Sequence, residues 1–248
     1  MNNGIVIKLR FKLTFSTKDG LIPYNYNYYI GSFIYSAIER ADSNISENLH
    51  YSNDIKLFTF SDLKGVIPVG EKGLLIKDKC YFYFSSPRKD ISVPFVEGLF
   101  KTTSFHIAGV PLNLEAVEAM KDIDVDGSIK FRTISPICIT TKINTNDKLK
   151  IWDLTPTDIK FYKNLERNLI KKYRMYYGKD AENCKVNFEV SKIFRSTRRK
   201  IKNTFHTAHY IEFRANGSSD LIKLGYDSGF GEKNSMGFGM VEVMENGR

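Results

Sequence analysis

The chain has 248 residues, 42% of them hydrophobic and 26% charged, enough to bury a core as one large domain or as two compact ones of about 120 residues. Disorder, a disulfide miniprotein and a collagen-like chain are thereby excluded. A formal net charge of +9 and a pI of about 9.3 call for a polyanionic partner without identifying it.

In chain order, Ile5, Ile7, Leu9, Phe11, Leu13 and Phe15 alternate with Lys8, Arg10 and Lys12, the pattern of a half-buried strand over roughly 4–15 and not of a signal peptide. A helix is predicted from Asn25 to Asp42, with Tyr26, Tyr29, Ile30, Phe33, Ile34, Ala37 and Ile38 as its apolar stripe. Lys56–Phe60 is a short extended run and Cys80–Ser85 an aromatic strand. A second helix covers about 90–101, and one strand or a pair covers 105–118. The order is β-α-β-β-α-β.

The second half repeats it. Ile129, Phe131 and Thr133 mark a strand ending near Ser135-Pro136. Thr155-Pro156-Thr157-Asp158 offers an N-cap, a proline at N1 and an acid at N3 to a helix that Gly178 can close. A strand through Val186, Phe188 and Val190, a basic hairpin, a strand at Ile211 and Phe213, a short helix near 219–224 and a strand near 238–243 complete it. The fold expected is α+β: two tandem ferredoxin-like, RRM-like β-α-β-β-α-β domains with antiparallel sheets, at 1–124 and 125–248.

The charge is unevenly spread: residues 1–141 carry a net +1, 142–202 a net +10 and 203–248 a net −2. The densest part holds Lys192, Arg195, Arg198, Arg199, Lys200 and Lys202 without an acid, which suits phosphate binding. Five of the 17 glycines, Gly225, Gly229, Gly231, Gly237 and Gly239, fall within 15 residues. Such a loop permits positive φ and close approach, and its N–H groups can meet an anion. It ends in no Gly-Lys-Ser/Thr and lacks the third glycine of a dinucleotide fingerprint.

This glycine segment resembles the C-terminal signature of the CRISPR-associated endoribonucleases that cut precursor CRISPR RNA within its repeats, members of the RAMP superfamily. Pro23-Tyr24-Asn25, Tyr28-Tyr29-Ile30, Ile34-Tyr35-Ser36-Ala37-Ile38, Leu49-His50, Phe58-Thr59-Phe60-Ser61 and Ser135-Pro136-Ile137 agree in order. The resemblance implies two ferredoxin-like domains and, as partners, CRISPR repeat RNA in precursor and mature guide form. It admits other effector subunits and a homodimer.

Three residues then suggest a site. Tyr35 lies nearly opposite the stripe of the first helix at about 100° per residue. His50 falls in the polar segment Asn48–Asn53 after that helix, and Lys56 follows at the start of an extended run. Metal-free RNA cleavage needs the 2′-hydroxyl deprotonated, the 5′-oxygen protonated and the phosphorane's charge stabilised. Histidine suits the first two tasks near neutral pH, lysine the third, and tyrosine can position a proton. In some members of the family, residues aligning with Tyr35, His50 and Lys56 form such a site, which implies 2′,3′-cyclic phosphate and 5′-hydroxyl ends. Lys192, Arg195, Arg198, Arg199, Lys200 and Lys202, with Gly229, Gly231, Lys233, Gly237 and Gly239, would hold the RNA.

The remaining signals are weaker. His106 reads as a core or edge residue, and His206 and His209 fall on opposite faces of a strand, so no metal site is expected. Tyr81–Phe84 and Trp152 read as core. Cys80, Cys138 and Cys184 are odd in number and form no CxxC, so reduced thiols in the cytoplasm are expected. The run Gly20–Ile38 is a poor membrane span, and no cofactor is expected. The alternatives are a non-catalytic RNA-binding RAMP subunit, an RRM-like chaperone and, least supported, a small-molecule enzyme.

Overall fold

The computed structural model describes residues 10–51, 54–102, 105–145, 148–181, 184–201 and 203–244, without side chains at 50, 51, 145 and 148. The chain forms two compact units, one of residues 1–58 and 62–123, the other of 59–61 and 124–248. The short segment Thr59–Ser61 belongs with the second, where Thr59 Oγ1 donates to Phe238 O at 2.9 Å.

The first half contains β1 (Arg10–Ser16), β2 (Gly20–Ile22), α1 (Asn27–Ala41), α2 (Ser43–Tyr51), β3 (Thr59–Phe60), β4 (Ile67–Pro68), β5 (Leu74–Ile76), β6 (Lys79–Ser85), α3 (Lys89–Phe100), β7 (Phe105–Ile107) and β8 (Val110–Ala119). Residues 4–9 of the expected first strand lie outside the described residues. In the first unit the main strands pair in the order β6-β1-β8-β7, with β1 antiparallel to both neighbours. Alternation sorts the aromatic strand: Phe82 and Phe84 are fully buried, whereas Tyr81 and Tyr83 are half-buried on the other face. Phe15 stacks on Phe82 with centroids 5.8 Å apart, and Phe33 of α1 meets Phe105 edge-on at 5.2 Å. Helices α1 and α3 touch where Gly98 lies on Ala37 O, a contact that leaves no room for a Cβ.

The second half contains β9 (Ser128–Thr133), β10 (Thr140–Thr145), β11 (Lys148–Asp153), α4 (Ile159–Tyr177), β12 (Val186–Ile201), β13 (Thr204–Gly217), α5 (Ser219–Ser228) and β14 (Val241–Val243). Its sheet order, β12-β13-β9-β14, places the first and third strands at the centre, as a β-α-β-β-α-β ferredoxin-like unit requires. Phe131, Phe213 and Phe230 are fully buried at its centre. Together the two sets of elements form the α+β architecture with antiparallel sheets.

Several local expectations change. Tyr29 is 41% exposed and lies outside the buried stripe of α1, which consists of Ile30, Phe33, Ile34, Ala37 and Ile38. The segment before His50 is a helix, because Asp42 leaves α1 in an extended conformation and its Oδ1 accepts the Ile45 N–H at 3.1 Å. α4 starts at Ile159, not Pro156: Asp158 is its N-cap residue, and its Oδ2 accepts the Thr155 N–H at 2.8 Å, closing a turn over the residues expected to be helical. Gly178 ends α4 in the left-handed region, φ 63°. The basic run is the far half of the 16-residue β12 and one arm of the hairpin that β12 forms with β13, so the hairpin is longer than the basic run itself.

Candidate active site and RNA interface

The three candidate catalytic residues belong to α1, α2 and the segment after α2, all in the first unit. Tyr35 does not stand on an open polar face. It is half-buried, and its ring meets Phe58 edge-on with centroids 5.8 Å apart. Phe58 lies two residues past Lys56, so Tyr35 and the Lys56 segment are brought together. Lys56 is itself half-buried, and burial lowers its pKa while the Asp54 carboxylate opposes the fall. His50 is in the last turn of α2; its side chain lies outside the described residues.

In the second unit β12 and β13 form a long antiparallel ribbon in which Arg195 pairs with Tyr210, Arg198 with Thr207 and Arg199 with His206. Alternation places Arg195 and Arg199 on one face and Arg198 and Lys200 on the other. Aromatic rings support the cations: Lys192 lies 4.9 Å from the Phe194 centroid, Arg195 4.3 Å from Tyr210 and Arg198 5.2 Å from Phe205. Phe194 and Phe205 are 43% and 53% exposed, so cation and ring are both presented to solvent. Arg199 differs: its guanidinium donates to Gly237 O at 2.9 Å and to Tyr210 Oη at 2.8 Å. It ties the ribbon to the glycine segment. Lys202 lies outside the described residues.

The glycine segment is a packed element. Gly229, Gly231, Gly237 and Gly239 are buried with φ between 75° and 86°. A Cβ on Gly231 would come within 2.7 Å of Cys138 O, and one on Gly239 would collide with Phe230 O. The N–H groups of Phe230, Glu232, Gly237 and Gly239 donate to Gly239 O, Cys138 O, Asn234 O and Pro136 O, so these four are committed inside the fold rather than turned to an anion. Lys233 is half-buried and, unusually for a residue with a side chain, left-handed at φ 59°.

Two residues that hold this loop were not apparent from the sequence. Lys172 of α4 is fully buried and donates to Gly229 O at 2.5 Å, Gly231 O at 3.0 Å and Asn234 Oδ1 at 2.7 Å. Three acceptors match the three ammonium protons, while burial pulls the pKa down to about 7 against the opposing charge of Glu232. Asn234 Nδ2 in turn donates to Phe230 O at 3.2 Å and Phe238 O at 3.0 Å. In the sequence Lys172 is one of many lysines; only its place on the apolar side of α4, with Phe161, Leu165 and Leu169, distinguishes it.

The other titratable groups are accounted for locally. His106 is exposed on β7. His209 is buried between Ser196 Oγ at 2.9 Å and Leu154 O at 3.2 Å, and burial lowers its pKa. Among the described residues one group, Cys138, Asp153 and His206, has potential metal-ligand atoms within 4.8 Å of one another. Both Asp153 oxygens are engaged, Oδ1 with His206 Nδ1 at 3.0 Å and Oδ2 with the Thr207 N–H at 2.7 Å. Cys138 packs with Ala208 and Phe238, and burial raises its thiol pKa. Cys80, Cys138 and Cys184 are free thiols. Among the described residues no helix is long and apolar enough to cross a membrane.

A ferredoxin-like strand order, a cation-bearing ribbon backed by aromatic rings and a packed glycine loop define a ferredoxin-like protein equipped to bind a polyanion, in keeping with the resemblance to the RAMP superfamily. Comparison with known proteins makes the assignment specific. The C-terminal model of CRISPR associated protein Cas6 matches residues 118–243, and the N-terminal model matches 21–118. The chain is 40% identical over 246 residues to CRISPR-associated endoribonuclease Cas6 1 of Methanocaldococcus jannaschii, covering 96% of this chain and 94% of that one. It is 35% identical over 229 residues to CRISPR-associated endoribonuclease Cas6 of Pyrococcus furiosus, covering 91% and 84%. A solved structure described as a RAMP protein binding different RNA substrates superposes with a TM-score of 0.86 at 29% identity, covering 96% and 100%. The chain belongs to the Cas6 family of CRISPR-associated proteins.

Proposed function

We propose that this chain is a cytoplasmic endoribonuclease that processes CRISPR repeat RNA by attack of a ribose 2′-hydroxyl on the adjacent phosphorus. The observation that carries the site assignment is the packing of Tyr35 against Phe58, in the segment that also holds the partly buried Lys56, with His50 in the turn of α2 just before that segment. A partly buried ammonium stabilises a phosphorane more than a solvated one, because water screens it less. Tyr35 positions a proton at the same phosphate. His50 takes the 2′-hydroxyl proton or delivers one to the departing 5′-oxygen. Proton transfer and charge stabilisation thus come from side chains, and the products carry a 2′,3′-cyclic phosphate and a 5′-hydroxyl.

The exposed cations of the ribbon, Lys192, Arg195, Arg198 and Lys200, bind phosphates, and the exposed Phe194 and Phe205 stack on unpaired bases. The glycine loop supports the ribbon through Arg199. The test is single-turnover cleavage of repeat RNA by wild type and His50→Ala. The variant is expected to bind the repeat normally and cut it at least about 100-fold more slowly, the low end for loss of a general acid or base. Equal rates would remove His50 from the mechanism. Binding without cleavage by the wild type would make the chain a non-catalytic RNA-binding subunit.

A further inference from the structure

The ribbon carries only part of the +10 of residues 142–202. A second part forms a line on α4. Lys160, Lys163, Arg167, Lys171 and Arg174 are spaced 3, 4, 4 and 3 residues apart, and all five are exposed. At about 100° per residue they fall within a strip about 80° wide that runs about 21 Å along the helix. The opposite side, Phe161, Leu165, Leu169, Lys172 and Tyr173, is buried. Glu166 is turned from the strip, its Oε1 accepting the Val186 N–H at 3.3 Å. Asp180 engages only the last cation, Arg174, at 2.7 Å. Like charges this close on one helix repel, so helix stability alone gives no reason for the arrangement.

The near end of the strip adjoins β10, where Asn164 Nδ2 donates to Thr140 O at 2.8 Å. Next to Thr140, Thr141 is paired with Trp152. This single tryptophan is not in the core, as its residue type had suggested, but 59% exposed on a two-stranded ribbon. Lys150 shares its face by alternation.

We propose that the outer face of α4 is a second RNA site, a phosphate track for a single-stranded segment, with Trp152 as the platform for an unpaired base at its near end. The inference rests on the substrate reading above and assigns the RNA a path beyond the β12–β13 ribbon. Neighbouring cations lie about 5–6 Å apart in a line. A flexible strand can bring successive phosphates to such a line, and any base can stack on an indole. A bilayer is a poor fit, since the apolar side of α4 is committed to the core and cannot insert.

The test titrates the full-length protein and K160Q/K163Q/R167Q/K171Q with a long oligouridylate at several salt concentrations. All four changes are at exposed positions, and circular dichroism checks the fold. In the wild type, RNA should quench the fluorescence of Trp152. The variant should bind at least about ten-fold more weakly, with a salt slope smaller by about 3, from about 0.7 per phosphate contact in a single strand. Fluorescence that RNA leaves unchanged, or a variant with wild-type affinity and slope, overturns the proposal. So does a variant that keeps RNA binding and loses binding to polyglutamate, which would assign the face to an acidic protein. The two readings fail separately: the substrate reading fails if wild type does not cut repeat RNA, this one if the variant binds RNA as wild type does.

Discussion

Gly239→Ala should be among the most destabilising single substitutions in the second unit, and the structure gives the size of the effect. Gly239 has φ 78°, a conformation that costs a residue with a Cβ roughly 1–2 kcal/mol. Its Cβ would also overlap Phe230 O, a backbone atom held by Asn234 Nδ2 at 3.2 Å. To relieve the clash the chain must part, straining the Phe230 N–H to Gly239 O bond of 2.8 Å and the Gly239 N–H to Pro136 O bond of 2.9 Å. At about 1 kcal/mol for each of these three hydrogen bonds, the total is about 4–5 kcal/mol. Gly178→Ala is the control, because Gly178 is also left-handed, at φ 63°, but has no atom within 4 Å of an added Cβ. It should lose only the strain, about 1–2 kcal/mol. Urea unfolding of the two variants measures the difference, expected at about 3 kcal/mol. Equal losses would refute the view that the glycines serve close packing and would return the loop to a role in direct anion contact.

Burial lowers the Lys172 pKa to about 7 in the folded protein, whereas the unfolded chain keeps the proton to about pH 10.5. The unfolded state thus binds more protons in that window, and stability from this group rises with pH through it and is lost as pH falls towards 7. Urea midpoints of wild type should show the rise and those of Lys172→Met should lack it; parallel profiles would contradict the burial argument. Asp42→Ala removes the cap of α2 and should cost about 1 kcal/mol of stability while slowing cleavage through His50, with no change in RNA affinity. Arg198→Gln with Lys200→Gln should weaken RNA binding and reduce its salt slope by about 1.4, two single-strand contacts, leaving the cleavage rate of bound RNA intact.

Periodicity makes both units legible in the amino-acid sequence, since strand alternation at Phe82 and Phe84 and the Ile30–Ile38 stripe report burial directly. It fails where one interaction competes with the pattern. Asp42 and Asp158 are capable of capping in either direction, and nothing local decides that one starts α2 while the other closes a turn before α4. The β10–β11 ribbon is invisible for a different reason: both faces are polar or exposed, so it lacks the alternation that marks a strand packed on a core, and residue type alone assigns Trp152 to the interior. The Tyr35 candidate comes from its offset from the core stripe, and the Lys56 candidate from its place at the start of the extended run after His50. Their shared neighbour Phe58, which covers Tyr35, is a tertiary contact that spacing could not supply. The basic strip of α4 stays hidden within a charge total until the helix gives it a direction.

The ends left when excess protein cuts repeat RNA once in the presence of EDTA report the cleavage chemistry. Attack by the 2′-hydroxyl gives cleavage within the repeat, a 2′,3′-cyclic phosphate on the upstream product, a 5′-hydroxyl on the downstream one, and no cut in RNA with a 2′-deoxy sugar at the scissile position. Cleavage of the deoxy substrate, products with 5′-phosphate ends, or loss of activity on chelation would rule out 2′-hydroxyl attack driven by side chains.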